Sequence, residues 1–216
     1  MKYGESTFDI LYLLFALISG VVILLRRRDR AGVLMGSAAL VLGGGDAFHL
    51  VPRVANYFTD TDLTFWLGFG KLVTSLTMTL FYVLLFVLHK SLFSSKTRSV
   101  MGVSVYALAL IRAIVCLFPQ NNWFTNDSDM LWGIIRNIPF TVLGLLIILL
   151  FWQTRRDNKE LSRLWIYITF SFLFYIPVAV GAGVVPLLGM LMLPKTVCYV
   201  LMIISFLRFS FNEKQK

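Results

Sequence analysis

Long apolar segments follow one another along this chain of 216 residues, and they constrain its fold more than any other feature. A run of about 20 apolar residues can cross the roughly 30 Å hydrocarbon core of a bilayer as a helix. Hydrophobic residues make up 58% of the chain and charged residues 14%, whereas soluble domains contain about 25% charged residues. We therefore predict transmembrane helices at residues 8–25, 31–51, 63–88, 100–118, 130–152, 164–185 and 187–207.

The gaps between these segments are short and polar, which leaves no room for a second domain. The prediction is one all-α membrane domain over residues 1–216, a bundle of seven transmembrane helices. The first segment is not a signal peptide, because Glu5 and Asp9 mark its start and a basic cluster at residues 26–30 follows it. This order of charges is the reverse of a signal peptide's. We expect residues 8–25 to remain as the first helix.

Basic residues in the loops predict the orientation, since cytoplasmic loops have an excess of Lys and Arg. The first, third and fifth loops and the C-terminus hold fourteen of the 20 basic residues, whereas the opposite side has only Lys2 and Arg53. We expect the N-terminus outside and the C-terminus inside, in the cytoplasmic membrane of a bacterium. The net charge of +9 then reflects loops that face an anionic leaflet, and no nucleic-acid partner is expected.

Four basic residues lie inside the predicted helices, namely Lys71, Arg112, Arg136 and Lys195. A charge at membrane depth costs roughly 3 kcal/mol or more on insertion scales, so each one needs water or an anionic partner. At about 1.5 Å per residue, all four lie roughly 9 to 12 Å below the external boundary. Asp46 in the second helix falls in the same layer.

Two interpretations of this layer are open. Each basic side chain could reach the outer headgroups with its charged end while its stem lies along lipid. Alternatively, the basic residues could line one water-accessible cavity that opens to the outside. We favour the cavity, because different helices contribute a basic residue at a similar depth.

Polar and aromatic residues near this layer suit the wall of a cavity. Helical neighbours three or four positions apart share a face, which places Tyr199 one turn from Lys195. Such side chains could equally join helices through hydrogen bonds. The candidate ligand-binding residues are Arg53, Lys71, Arg112, Arg136, Asn137, Tyr175, Lys195 and Tyr199.

The densest motif is the run from Gly43 to Arg53, in which Asp46, His49 and Arg53 share one face of the second helix. Asp46 could neutralise a nearby cation such as Lys71, or act as a general acid or base with His49 as its partner. Asp46 is the only carboxylate predicted well inside the membrane, so a two-carboxylate mechanism is not expected. With two histidines in the chain and cations nearby, we expect no metal and no other cofactor.

The region 38–86, with Gly45-Asp46 late in one helix and the next helix running through Tyr82, resembles the lysoplasmalogenase-like family of membrane proteins. The resemblance implies a related helical bundle and hydrolysis of the vinyl ether of lysoplasmalogens, with aspartates facing a central cavity. Of the family's aspartates, only one has a counterpart in this chain, which is Asp46. The family's second motif, Ser-Asp, falls at residues 175–180, which read Tyr-Ile-Pro-Val-Ala-Val in this chain.

Three functions are compatible with these residues. The first is a receptor, lipid-handling or transport protein whose external cationic pocket binds an anionic small molecule or lipid headgroup, with membrane lipids as partners. The second is a lysophospholipid or ether-lipid hydrolase with Asp46 and His49 as catalytic residues. The third is a photoreceptor with a Schiff-base lysine at Lys195 or Lys71. We favour the first, because Arg binds phosphate and carboxylate through paired hydrogen bonds.

Overall fold

The computed structural model describes residues 2–96, 99–125, 129–181 and 185–212. Over these ranges the protein is all-α, with seven helices long and apolar enough to cross a membrane and no β-strand. A helix suits a bilayer because it satisfies its own backbone hydrogen bonds, so these segments indicate an integral membrane protein. The helices are α1 Lys2–Arg26, α2 Arg30–Asn56, α3 Thr64–Leu92, α4 Ser99–Leu117, α5 Met130–Gln153, α6 Leu164–Gly181 and α7 Met192–Asn212.

The predicted segments overlap these helices but differ at several ends. The first helix was predicted from residue 8, whereas α1 begins at Lys2. The last was predicted from residue 187, whereas Pro186–Leu191 forms a 3-10 helix and α7 begins at Met192. Proline fits the first turn of a helix, where its missing N–H is not needed, and here it begins the 3-10 helix. The predicted sixth helix extends to residue 185, but α6 ends at Gly181 and residues 182–184 lie outside the described part of the chain.

Consecutive helices pack against each other, and α7 returns to contact α1 and α2. The contact between α2 and α3 depends on glycine, since a Cβ on Gly70 would collide with the backbone of Phe48. The hydroxyl of Thr74 also donates to the carbonyl of Gly45 across this contact, at 3.0 Å. This close approach places the polar face of α2 beside Lys71, which follows Gly70 on α3.

The two ends of the bundle differ in their polar contacts. We call the end that holds the start of α1 and the α2–α3, α4–α5 and α6–α7 connections the N-end, and the opposite end the C-end. At the N-end, Glu5 forms an ion pair with Arg53 and accepts a hydrogen bond from Tyr57, at 3.0 Å. At the C-end, Arg27 donates to the carbonyl of Phe209, at 3.4 Å, which joins the end of α1 to α7.

Asp29 is the N-cap residue of α2 and lies at the C-end of the bundle. Its carboxylate accepts hydrogen bonds from the Gly32 N–H, at 3.3 Å, and from Nε of Arg27, at 2.6 Å. The first N–H groups of a helix have no partner within the helix, and a capping side chain supplies one. Burial alone would raise the pKa of Asp29, but the Arg27 guanidinium and the Gly32 N–H bring it below its usual value.

We predict that Asp29→Ala lowers the free energy of unfolding by about 1 kcal/mol, because α2 loses its cap. A lowered pKa in the folded state means that this contribution is present above about pH 4 and is lost as the pH falls further. Thermal unfolding in detergent, at neutral and acidic pH, measures both effects. Asp29→Asn keeps the cap but loses the ion pair, so it should retain most of the stability; equal losses in both variants would contradict the capping role.

Candidate functional site

A cavity of about 290 Å³ lies between the helices toward the N-end. The basic residues that the sequence places at one depth all line it, namely Lys71 on α3, Arg112 on α4, Arg136 on α5 and Lys195 on α7. Its volume corresponds to about ten water molecules at about 30 Å³ each, near the lower end of the range for ligand pockets. The four side chains therefore share a depth along their helices and also point toward the same cavity.

Arg112 is the most deeply buried of these cations, with 2% of its surface exposed. The central carbon of its guanidinium lies 3.3 Å from the centroid of the Phe140 ring. Among the described residues, its Nε and Nη1 have no hydrogen-bond partner and no carboxylate lies within 4.0 Å. The ring face offsets part of the cost of burying the charge, but N–H donors without acceptors remain costly. Arg112 therefore has hydrogen-bonding capacity that the described protein does not use.

Arg136 is held in place by the connection between α4 and α5. Its Nη1 donates to Oδ1 of Asn121, at 2.9 Å, and its guanidinium lies 4.5 Å from the ring centroid of Trp123. Asn121 is fully buried, and its Nδ2 donates to the carbonyls of Val115, at 2.8 Å, and Phe118, at 3.0 Å. The end of α4 thus fixes Asn121, and Asn121 fixes Arg136. Sequence reasoning missed Asn121 and Trp123, because a loop residue carries no periodic signal for the direction of its side chain.

Aromatic rings also surround Lys195, which lies in the first turn of α7. Its Nζ is 4.6 Å from the ring centroid of Tyr175 and 5.2 Å from that of Tyr199. The Tyr175 hydroxyl donates to Oδ1 of Asn137, at 2.6 Å, and Nδ2 of Asn137 donates to the carbonyl of Gly133, at 2.8 Å. Asn137 and Tyr175 therefore join α5 to α6 through a hydrogen bond while they line the cavity.

A second cavity of about 80 Å³ adjoins the first, and the two share His49, Thr74, Met192 and Lys195 in their walls. We call them the large and the small cavity. The other residues of the small cavity are Asp9, Asp46, Leu50, Arg53, Leu193, Thr196 and Tyr199.

The small cavity has two carboxylates in its wall, Asp9 and Asp46, whereas the described wall of the large cavity has one, the exposed Asp129. Asp46 accepts a hydrogen bond from the Tyr12 hydroxyl, at 2.6 Å. Asp9 is 3% exposed, and neither its Oδ2 nor Nδ1 of His49 has a hydrogen-bond partner among the described residues. Arg53 lines this cavity and forms its ion pair with Glu5. The small cavity thus combines acidic and basic groups.

The sequence predicts Asp46 as the only carboxylate well inside the membrane, but the structure places a second, buried carboxylate, Asp9, in the wall of the same cavity. The apolar run predicts a first helix from residue 8, with Asp9 at its start, but α1 begins at Lys2, about two turns before Asp9. Asp9 consequently lies inside the bundle, one turn before Tyr12 on the face of α1 that meets α2. The i, i+3 spacing of Asp9 and Tyr12 was the available signal for a polar face on α1.

Metal ligation has no support in the part of the chain that the structure describes, where no group of three or more His, Cys, Asp or Glu is arranged to hold an ion. Cys116 and Cys198 are buried free thiols.

Comparisons with protein-family models, with curated proteins and with solved structures find no match to this chain. Its function is therefore inferred from the residues of the two cavities.

Proposed function

We propose that this protein binds an anionic small molecule, or the anionic headgroup of a lipid, in the large cavity. The supporting observation is the arrangement of Lys71, Arg112, Arg136 and Lys195, which come from different helices and line the same cavity. Of the described residues in its wall, Asp129 is the one carboxylate. Positive charge therefore exceeds negative charge inside an apolar bundle, and a bound anion would reduce the free-energy cost of that excess.

The types of cation also suit an anion with several oxygens. A guanidinium presents planar N–H donors that match phosphate and carboxylate, whereas an ammonium is a compact charge on a flexible stem. Among the described residues, two nitrogens of Arg112 have no acceptor, and Asn121 orients the guanidinium of Arg136 through a hydrogen bond. Lys71 and Lys195 add ammonium charges to the same wall. Phosphate or carboxylate oxygens would supply the acceptors that Arg112 lacks.

We further propose that the N-end faces the outside and the C-end the cytoplasm of a bacterial cell. The excess of Lys and Arg in the C-end loops supports this orientation. Asp129 and Met130, which are exposed at the start of α5, belong to the wall of the large cavity. In this orientation, the ligand enters from outside the cell, as in a receptor, a lipid-handling protein or a transporter.

The orientation predicts which cysteine substitutions react in intact cells. Thr61 is exposed in the α2–α3 connection and Ser95 in the α3–α4 connection, while the native cysteines are buried. A membrane-impermeant maleimide should label Thr61→Cys in intact cells and label Ser95→Cys only after the membrane is opened. The unsubstituted protein is the control. Labelling of Ser95→Cys alone in intact cells would reverse the proposed orientation.

We predict that Arg112→Met stabilises the anion-free protein and removes its response to anions. Methionine replaces a buried charge with an apolar side chain of similar length, a change that is often neutral or stabilising. In the unsubstituted protein, an anion at about 100 times its Kd should stabilise the fold by about 2.7 kcal/mol. Thermal unfolding after removal of bound lipid, with and without inorganic phosphate, measures both quantities.

Two comparisons complete this experiment. Arg156 is exposed at the C-end, so Arg156→Met removes the same charge and should keep the response to phosphate. Nanodiscs of phosphatidylglycerol and of phosphatidylcholine separate a lipid headgroup from a soluble anion as the natural ligand. The proposal is contradicted if anions stabilise the Arg112→Met protein as much as the unsubstituted one.

A lysoplasmalogenase-like hydrolase is the second candidate. Asp46 lies in the small cavity with His49, directly beside the cations of the large cavity. The cations would hold the phosphate of a lysophospholipid, and Asp46 would transfer a proton during hydrolysis with His49 as its partner. The partly buried hydrogen bond from Tyr12 orients the Asp46 carboxylate for such a role.

If the protein is this hydrolase, purified enzyme should release a fatty aldehyde from a lysoplasmalogen. Asp46→Asn should then lower kcat by about 100-fold or more, because the general acid or base is lost, while phosphate still binds. Asp60, an exposed carboxylate, supplies the control Asp60→Asn. Absence of aldehyde release by the unsubstituted protein would reject this candidate and leave the binding proposal intact.

A further inference from the structure

We infer that the small cavity is a subsite for a primary ammonium group, so that the ligand is an anion that also carries an amine. This inference rests on the proposed binding of an anion in the large cavity. It adds the chemical class of the ligand, which the cations of the large cavity do not define.

Asp9 is the residue that requires a partner. Its side chain is 3% exposed and its Oδ2 has no hydrogen-bond donor among the described residues. A buried carboxylate oxygen without a donor is costly, because water solvates that oxygen well in the unfolded chain. A donor that enters the small cavity would remove this cost.

No described hydroxyl group donates to Oδ2 of Asp9. Three hydroxyls around the small cavity donate to other acceptors. Tyr12 donates to Asp46 at 2.6 Å, Thr74 to the carbonyl of Gly45 at 3.0 Å, and Thr196 to the carbonyl of Met192 at 2.9 Å.

The charges around the small cavity favour a cationic donor. Asp9 and Asp46 are both in its wall. Of the basic residues there, Arg53 is paired with Glu5, which leaves Lys195 to face two carboxylates. A primary ammonium group brings both a positive charge and three N–H donors. An ammonium group in this cavity would donate one N–H to the Asp9 carboxylate and, when the ring proton of His49 is on Nε2, another to Nδ1 of His49.

The two cavities are arranged to receive the two ends of one ligand. They adjoin each other, because they share wall residues that include Lys195 and His49. The small cavity holds the volume of about two or three water molecules, which suits an aminomethyl group. Phosphate or carboxylate in the large cavity and an amine in the small cavity therefore fit a ligand with a short spacer.

Matched ligands test the subsite on the full chain in detergent. Ethyl phosphate and 2-aminoethyl phosphate differ by one amine, as do propionate and β-alanine in a parallel carboxylate pair. The amine should increase affinity about tenfold, since it adds charge-assisted hydrogen bonds, as measured by calorimetry. The trimethylammonium analogue keeps the charge but donates no N–H, so it should bind no more tightly than ethyl phosphate.

Variants locate the effect at Asp9. Asp9→Asn keeps the shape of the side chain and should abolish the preference for the amine while the affinity for ethyl phosphate stays the same. Asp60→Asn makes the same change of charge at an exposed site and should keep the preference. If Asp9→Asn does not fold, the ligand series on the unsubstituted protein still decides.

The outcomes separate this inference from the proposed function. Equal affinity for ethyl phosphate and 2-aminoethyl phosphate, and for propionate and β-alanine, would overturn the ammonium subsite while anion binding stands; water would then occupy the small cavity. A preference that persists in a folded Asp9→Asn protein would also overturn the subsite. Failure of all these anions to bind would overturn the proposed function and this inference together.

Discussion

The free-energy cost of positive charge inside an apolar bundle governs the structure of the N-end. No described carboxylate lies within 4.0 Å of Arg112, Arg136 or Lys195, and an aromatic ring lies against each of them. A cation–π contact contributes about 0.5 to 2 kcal/mol, less than the roughly 3 kcal/mol or more that insertion of the charge costs. The rings therefore do not compensate the charges fully. A polar cavity at this level lets water or an anion supply the remainder.

Helix packing separates the two signs of charge around the cavities. Asp9 and Asp46 come from α1 and α2, which are joined by the Tyr12 hydrogen bond, whereas most of the basic residues come from α3 to α5. Lys195 on α7 lies in the walls of both cavities. Opposite charges that are separated in this way favour one orientation of a polar ligand over its reverse. The packing of α2 against α3 through Gly70 brings the two groups of residues together.

The helices and the common depth of the basic residues could be predicted from the sequence, because long apolar runs are a strong signal. The direction in which each side chain points is harder to predict from the sequence. A helix that is apolar on all faces, such as α6, gives no amphipathic pattern to distinguish lipid from protein. Asp9 was misplaced because the apolar run starts later than the helix does. Asn121 escaped notice because its role depends on carbonyl groups that only the folded α4 end presents.

The two ends of the bundle differ in whether their buried ionisable side chains have partners within the described protein. At the C-end, the buried ionisable side chains Arg27 and His89 have protein partners: Arg27 donates to the Phe209 carbonyl, and Nε2 of His89 lies 3.1 Å from the Leu150 carbonyl oxygen. At the N-end, the ionisable side chains with buried, unpartnered atoms are Asp9, His49 and Arg112 among the described residues, and each lines one of the two cavities. Unsatisfied groups of this kind lower stability and persist where function requires them. A ligand that formed hydrogen bonds with both Arg112 and Asp9 would thus stabilise the fold at the end of the bundle where ionisable side chains have unpartnered buried atoms.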